Sequence, residues 1–256
     1  MDARVKTESM MAGLHGRPEF SVVSPVRNEA ENVESLVFEI FDALDGRAFE
    51  IIFVDDSSTD DTRARLFALK GRIPQLRVLG HRRNAGQSRA VRTGVMAARS
   101  NIIITLDGDG QNDPADLAGL LGQLTRSGAP PELALVQGRR EKRIDSGWKK
   151  FGSRFANRVR RSILKDGNSD SGCGVRAFRR DAYLQLPYFD HMHRYLPALM
   201  MSEGLTVEDR PVGHRARKHG RSNYTNFGRL AVAWSDMRGV MWLRKRRKSP
   251  GGVDEL

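Results

Sequence analysis

Apolar positions along this chain fall into two alternating rhythms. Short runs such as "FSVVSPV" (Phe20 to Val26), "EIIFVDD" (Glu50 to Asp56), "QLRVLGH", "NIIITLDGDG" and "LALVQGRR" are dense in branched aliphatics and read as strands. Between them, "NEAENVESLVFEIFDAL" sets Val33, Leu36, Val37, Ile40, Phe41 and Leu44 at helical spacing, and "AGQSRAVRTGVMAA" and "PADLAGLLGQLTRSG" are further helices. Strands that alternate with helices this regularly predict an α/β fold, a mainly parallel central sheet with helices on both faces. After Arg140 the alternation loosens. "DSGWKKFGSRFANRVRRSIL" is expected to be helical, "GVRAFRRDAYLQL" and "MHRYLPALMMSEG" a short strand and helices, and "LTVEDRPVGHR" another strand. The expected organisation is a leader over 1–19 and a catalytic-type domain over 20–224. That domain divides into halves at 137/138, and a helical basic tail follows over 225–256.

The polar interruptions are concentrated at strand exits. "SPVRNEAEN", "VDDSSTDDT" and "LDGDGQNDP" each follow an apolar run, and ligands of parallel α/β sheets sit at the carboxyl ends of strands. Acids and Asn there also suit helix starts, and for the first two, taken singly, capping is the better account. It accounts poorly for Asp107–Gly108–Asp109, where two carboxylates converge beside glycines that let backbone approach a ligand. Close carboxylates repel unless something positive compensates, and oxygen ligands of this type suit Mg²⁺ or Mn²⁺. A dinucleotide fold would need G-x-G-x-x-G after the first strand, and a phosphate loop G-x-x-x-x-G-K-[ST]; neither is present.

Charge divides the chain. The net +12 splits into −3 over residues 1–137, +11 over 138–221 and +4 beyond. A basic second half should meet an anion: nucleic acid, a phosphorylated substrate or an anionic lipid surface. Nucleic acid is disfavoured as a partner, because aromatics are only 7%, no nucleic-acid motif occurs and the acids at three strand exits repel phosphate. One cysteine, Cys173, rules out an internal disulfide and favours a reducing compartment. No run approaches the length needed to cross a bilayer, and the first twenty residues carry no signal-peptide pattern.

Five stretches, "SPVRNEAENV", "IIFVDDSSTDDT", "RNAGQSRAVRTGV", "ITLDGDGQNDP" and "SDSGCGVRAFRR", resemble in order and spacing the family 2 glycosyltransferases of GT-A fold. The similarity covers residues 20 to 224. It lies nearest the branch with dolichyl-phosphate mannosyltransferase and the bacterial polyprenyl-phosphate sugar transferases. The resemblance implies an inverting transfer from a nucleotide-diphospho-sugar, GDP-mannose or a UDP-sugar. It puts Pro25, Arg27 and Glu29 in the nucleotide pocket, Asp55 and Asp56 near base and ribose, and Asp107 near ribose and diphosphate. Asp109 and Gln111 become the divalent-metal ligands. The family's D-A-D-x-Q-D-P appears here with Gly108 for Ala and Asn112 inserted, which moves Asp113–Pro114 one place on. "GHRARKHGRSNY" resembles the family's R-x-x-G-x-S loop, which implies that Arg217 and Ser222 close over the diphosphate.

The acceptor follows from what is missing. Family members acting on hydroxyls carry a Glu-Asp pair before a late helix, and "YFDHMHRYLPAL" has none. Asp190, His191 and His193 are the candidates there, and Asp190 is the alternative base for a sugar-hydroxyl acceptor. A polyprenyl phosphate is already ionised and needs cations instead. The family pattern favours Arg139 and Arg154 for that task, while Asp170 matches a position lining the sugar pocket. In the tail, Phe227, Leu230, Ala231, Trp234, Met237, Val240 and Met241 recur at helical spacing, followed by five cations up to Lys248. That pattern suits either an anionic lipid surface or a helix packed on the domain. The expected location is cytoplasmic and peripheral on the inner face of the membrane, directly or through a separate integral-membrane partner.

Overall fold

The structure, a computed structural model, describes residues 17–141, 163–164, 166–167, 170, 172–216, 226–248 and 255. Strands β1 (Phe20–Val26), β2 (Phe49–Asp55), β3 (Leu76–Gly80), β4 (Ile102–Thr105), β5 (Leu133–Arg140), β6 (Arg176–Arg179) and β7 (Thr206–Val212) form one sheet in the order β3-β2-β1-β4-β6-β5-β7. The β1–β2, β1–β4, β2–β3 and β5–β7 pairs are parallel. β6 alone runs antiparallel, between β4 and β5. Both halves of the chain therefore share a single sheet.

Helices α1 (Ala30–Ala43), α2 (Thr62–Leu69), α3 (Gln87–Ala97), α4 (Leu117–Thr125), α5 (Arg180–Gln185), α6 (Leu196–Ser202) and α7 (Asn226–Arg246) cover the two faces. Val33, Leu36, Val37 and Ile40 of α1 join Leu66 and Leu69 of α2 and Leu117, Leu120, Leu121 and Leu124 of α4 on one side. Burial of aliphatics of this size contributes about 2 kcal/mol apiece, which is what holds α1 down. Val91 and Val95 of α3, Tyr183 of α5, Leu199 of α6, and Met237 and Val240 of α7 form the other core. The central strands, buried on both faces, are continuous apolar runs for that reason.

Two expectations change in detail. The fourth strand stops at Thr105 instead of running on through "LDGDG", because the chain turns away there, with Gly110 at φ +70°. The tail helix is divided between its two alternatives. Met237 and Val240 pack inward, whereas Trp234, Met241 and Trp242 are exposed. The helical expectation for 145–164 lies outside the described residues except for Ile163 and Leu164, which are helical.

Candidate active site

Because β2, β1 and β4 are neighbours and parallel, their three polar exits converge on one edge of the sheet. Antiparallel β6 brings its entry, residues 172–176, to the same edge. Thr105 Oγ1 of β4 donates to the Gly174 carbonyl at 2.8 Å, joining the two.

Asp107 lies at the centre of this cluster. Its Oδ1 accepts a hydrogen bond from Gln87 Nε2, at the start of α3, at 2.9 Å. On the other side the carboxylate is pressed against Gly174: a Cβ there would lie 2.1 Å from Asp107 Oδ2. Gly108 is needed for a similar reason, since its Cβ would lie 2.3 Å from Val26 Cγ1. Burial, then the neighbouring Asp109 charge, pushes the Asp107 carboxyl up to about 6, against the attraction of Arg176 and Arg140 and the Gln87 hydrogen bond. The Asp109 charge beside the buried Asp107 makes an electron-rich corner that suits a cation.

The 109–113 turn is braced around that corner. Asp109 Oδ1 accepts from Gln111 N at 3.2 Å, and the Gln111 carbonyl accepts from Arg215 N at 2.8 Å. Asp113 Oδ1 caps the short helix Pro114–Asp116 through Ala115 N at 3.0 Å and pairs with Arg215 at 2.8 Å. Arg215 also bonds Glu39, so its charge is held by two acids. Among the described residues no three acids, histidines or cysteines gather as a closed metal cage. Asp109 and Gln111 bring side-chain oxygens to this turn, a donor type that suits Mg²⁺ or Mn²⁺.

The second exit is committed to its own loop. Asp55, fully buried, accepts from Ser58 N at 3.0 Å and from Arg63 Nε and Nη2 at 2.7 and 2.6 Å. Asp56 accepts from His81 Nδ1, Asn84 Nδ2, Ala85 N and Gly86 N, all within 2.8 Å. The Asp56 carboxylate thus fixes the 81–86 loop and, through it, the start of α3, while Asp55 reaches that loop only through Arg63, whose Nη2 donates to the His81 carbonyl at 3.1 Å. At the first exit, Pro25 is half-buried and Arg27 exposed, and Glu29 Oε2 accepts from Asn32 Nδ2 at 2.6 Å. This loop is laced to the next one by Asn28 N to Ser58 Oγ and Glu29 N to Thr62 Oγ1. A depression of about 470 Å³ lined by Ser58, Thr59, Asp60, Arg63 and Phe67 lies beside these loops rather than at Asp107.

On the second half, strand alternation separates two adjacent arginines. Arg139 is exposed, while Arg140 turns in and forms a two-point pair with Asp170 at 2.7 and 2.6 Å. Arg176, buried beneath the cluster, donates from Nε to Gln137 Oε1 at 2.7 Å. Asp190, 60% exposed, borders the start of α3, its Oδ1 3.3 Å from where a Cβ on Gly86 would sit. His191 pairs with Asp236 of α7 at 3.1 Å. His193 is packed inside against Ser88 Oγ at 2.6 Å, and burial drives its pKa well below the usual value. Arg154, Arg217 and Ser222 lie outside the described residues. Gln87, Gly174 and Arg176 are residues of this cluster that patterning did not single out, whereas Arg140 stood beside Arg139 among the cations the basic half offers.

The model of "Glycosyl transferase family 2" matches residues 21–186, which span all three exits and the β6 entry. The chain belongs to this family. It is therefore a glycosyltransferase. Among curated members it is 33% identical over 239 residues to dodecaprenyl-phosphate galacturonate synthase of Rhizobium johnstonii, covering 91% of this chain and 69% of that one. It is 31% identical over 208 residues to undecaprenyl-phosphate 4-deoxy-4-formamido-L-arabinose transferase of Edwardsiella ictaluri, covering 80% and 62%. The chain thus spans about two thirds of the length of these relatives. Glucosyl-3-phosphoglycerate synthase of Mycobacterium tuberculosis, solved with Mn²⁺, UDP and glucosyl-3-phosphoglycerate, shares the fold of this chain at a TM-score of 0.66 and 20% identity, over 94% of this chain and 85% of that one.

Proposed function

We propose that this glycosyltransferase moves a sugar from a nucleoside diphosphate sugar to a polyprenyl phosphate. The observation that carries the donor half is the Asp107–Asp109–Gln111 corner, electron-rich and set where three strand exits meet. Asp109 and Gln111 would hold Mg²⁺ or Mn²⁺, which when bound offsets the charge that grows on the departing diphosphate. Asp107, held by Gln87 and Gly174, orients the ribose and diphosphate end of the donor. Pro25, Arg27 and Glu29 line the nucleotide pocket, and Asp55 and Asp56 shape its far wall by fixing the loop that carries α3. Arg217 and Ser222, from the R-x-x-G-x-S motif that follows β7 in the sequence, would close over the diphosphate.

The acceptor half rests on charge and on the absence of a suitably held base among the described residues near α3. A lipid phosphate attacks as an anion, so the site must hold it rather than deprotonate it. Arg139 and Arg154 are the proposed phosphate contacts, with the Arg140–Asp170 pair forming the floor behind Asp107. The names of two curated relatives, both polyprenyl-phosphate sugar transferases, support the same acceptor class. No helix among the described residues is long and apolar enough to cross a membrane, and the exposed Trp234, Met241 and Trp242 of α7 favour peripheral docking on the cytoplasmic face. A separate membrane partner would serve the same end.

A hydroxyl acceptor is the second reading, since Asp190 stands solvent-exposed beside the start of α3. The deciding experiment supplies labelled GDP- and UDP-sugars, Mn²⁺ or Mg²⁺, and undecaprenyl phosphate in detergent. Metal-dependent passage of label into the organic phase, in acid-labile form, is expected. Donor binding without any transfer to that lipid would overturn the acceptor assignment.

A further inference from the structure

Arg89 and Arg92, one turn apart on α3, share a single aromatic partner. The Arg89 guanidinium carbon lies 3.9 Å from the Tyr188 ring centroid and that of Arg92 lies 5.5 Å from it. Neither arginine pairs with an acid among the described residues, in contrast to Arg63, Arg77, Arg140 and Arg215, each held on a carboxylate. Arg92 Nη1 is moreover buried with no hydrogen-bond partner, and an unmet charged donor of this kind is costly to leave. Two like charges are thus gathered on one shelf with donors to spare. The acid nearest in sequence, Asp190, is turned to His191, whose backbone N it accepts at 2.8 Å.

We propose that Arg89, Arg92 and Tyr188 form a binding site for a phosphate group, the headgroup of an anionic membrane lipid. Forked guanidinium donors match phosphate oxygens, and the tyrosine face fixes their planes. The lipid source follows from the site's surroundings. α3 and α7 cover the same face of the sheet, Val91 and Val95 sharing a core with Met237 and Val240. On that face α7 exposes Trp234, Met241 and Trp242 together with Arg238 and Lys245. Aromatics flanked by cations are suited to the headgroup layer of a charged bilayer. The phosphate site would fix how the chain sits on that surface, apart from the strand-exit site and independent of the reaction assigned to it.

The test is co-sedimentation of the full chain, without nucleotide, on phosphatidylcholine vesicles with and without phosphatidylglycerol. R89Q/R92Q is compared with R65Q/K70Q, which removes the same charge at α2 on the other face. The first should weaken binding to the phosphatidylglycerol vesicles by about tenfold, and the second by no more than about twofold. R89Q alone, at an exposed position, should give an intermediate loss without any folding defect, and R89K/R92K should restore only part of it. A parallel arm measures thermal unfolding in inorganic phosphate against chloride at equal ionic strength. Unchanged vesicle binding by R89Q/R92Q, with loss of a phosphate-specific stabilisation seen in the parent, would assign the site to a soluble phosphate and overturn the lipid. Equal losses in the two double variants, or none in either arm, would overturn the site itself.

Discussion

Asp107→Asn should make the metal-free protein more stable while removing its activity. The carboxyl is pushed from an ordinary 3.8 up to about 6 by burial and by Asp109. An acid with a raised folded-state pKa is at no disadvantage below 3.8, where both states are protonated. Its cost grows as pH rises and is complete above 6. At about 1.4 kcal/mol per unit, the two-unit displacement corresponds to about 3 kcal/mol at neutral pH. Asparagine keeps the shape, still accepts from Gln87 and carries no charge. Urea unfolding in chelator should therefore find the variant more stable by about 3 kcal/mol near pH 7.5 and by roughly 1.5 kcal/mol near pH 5. Buried neutral His193 also makes stability fall as pH drops below 6.5, but it does so in both proteins and cancels from the difference. A variant equally stable or less stable at both pH values would refute the claim that burial and Asp109 outweigh the groups that compensate the Asp107 charge. So would a gain that does not shrink on acidification.

Asp109→Ala should lower sugar transfer by about a thousandfold and abolish the metal dependence of nucleotide binding, read by titrating Mn²⁺ against bound nucleotide. Gly174→Ala drives a methyl into the Asp107 carboxylate; calorimetry should show a loss of about 1–3 kcal/mol alongside strongly reduced turnover. Asp170→Asn leaves Arg140 buried without its counter-charge and should cost about 3 kcal/mol in chemical denaturation. Asp190→Asn should leave transfer to undecaprenyl phosphate within about twofold of the parent, whereas a hydroxyl acceptor would make the loss at least about a hundredfold, as steady-state kinetics would reveal.

The parallel sheet was legible because its strands are buried on both faces, which leaves no room for polar alternation in "IIFV" or "III". The site's location was legible too, since acids such as Asp107 and Asp109 have no packing role at the end of such a strand. The partners that hold them were not. Gln87 begins a helix, and nothing in its spacing says that it reaches Asp107, 20 residues on. Gly174 matters through one carboxylate packed against its bare Cα, a contact that arises only when antiparallel β6 slots beside β4. The direction of β6 is itself a tertiary outcome, invisible in four residues, "RAFR". Arg139 and Arg140 look alike in the sequence, and the pleat alone turns the second toward Asp170. In the tail the helical period was clear, but which of its apolar residues face the core depended on where α6 stands.

The most direct test of the central claim is a crystal structure with Mn²⁺ and either UDP or GDP, read at the manganese anomalous edge. One strong peak is expected, bound by Asp109, Gln111 and diphosphate oxygens, with Asp107 still held by Gln87. A well-ordered nucleotide whose diphosphate lies away from Asp109, or a manganese peak elsewhere, would contradict it.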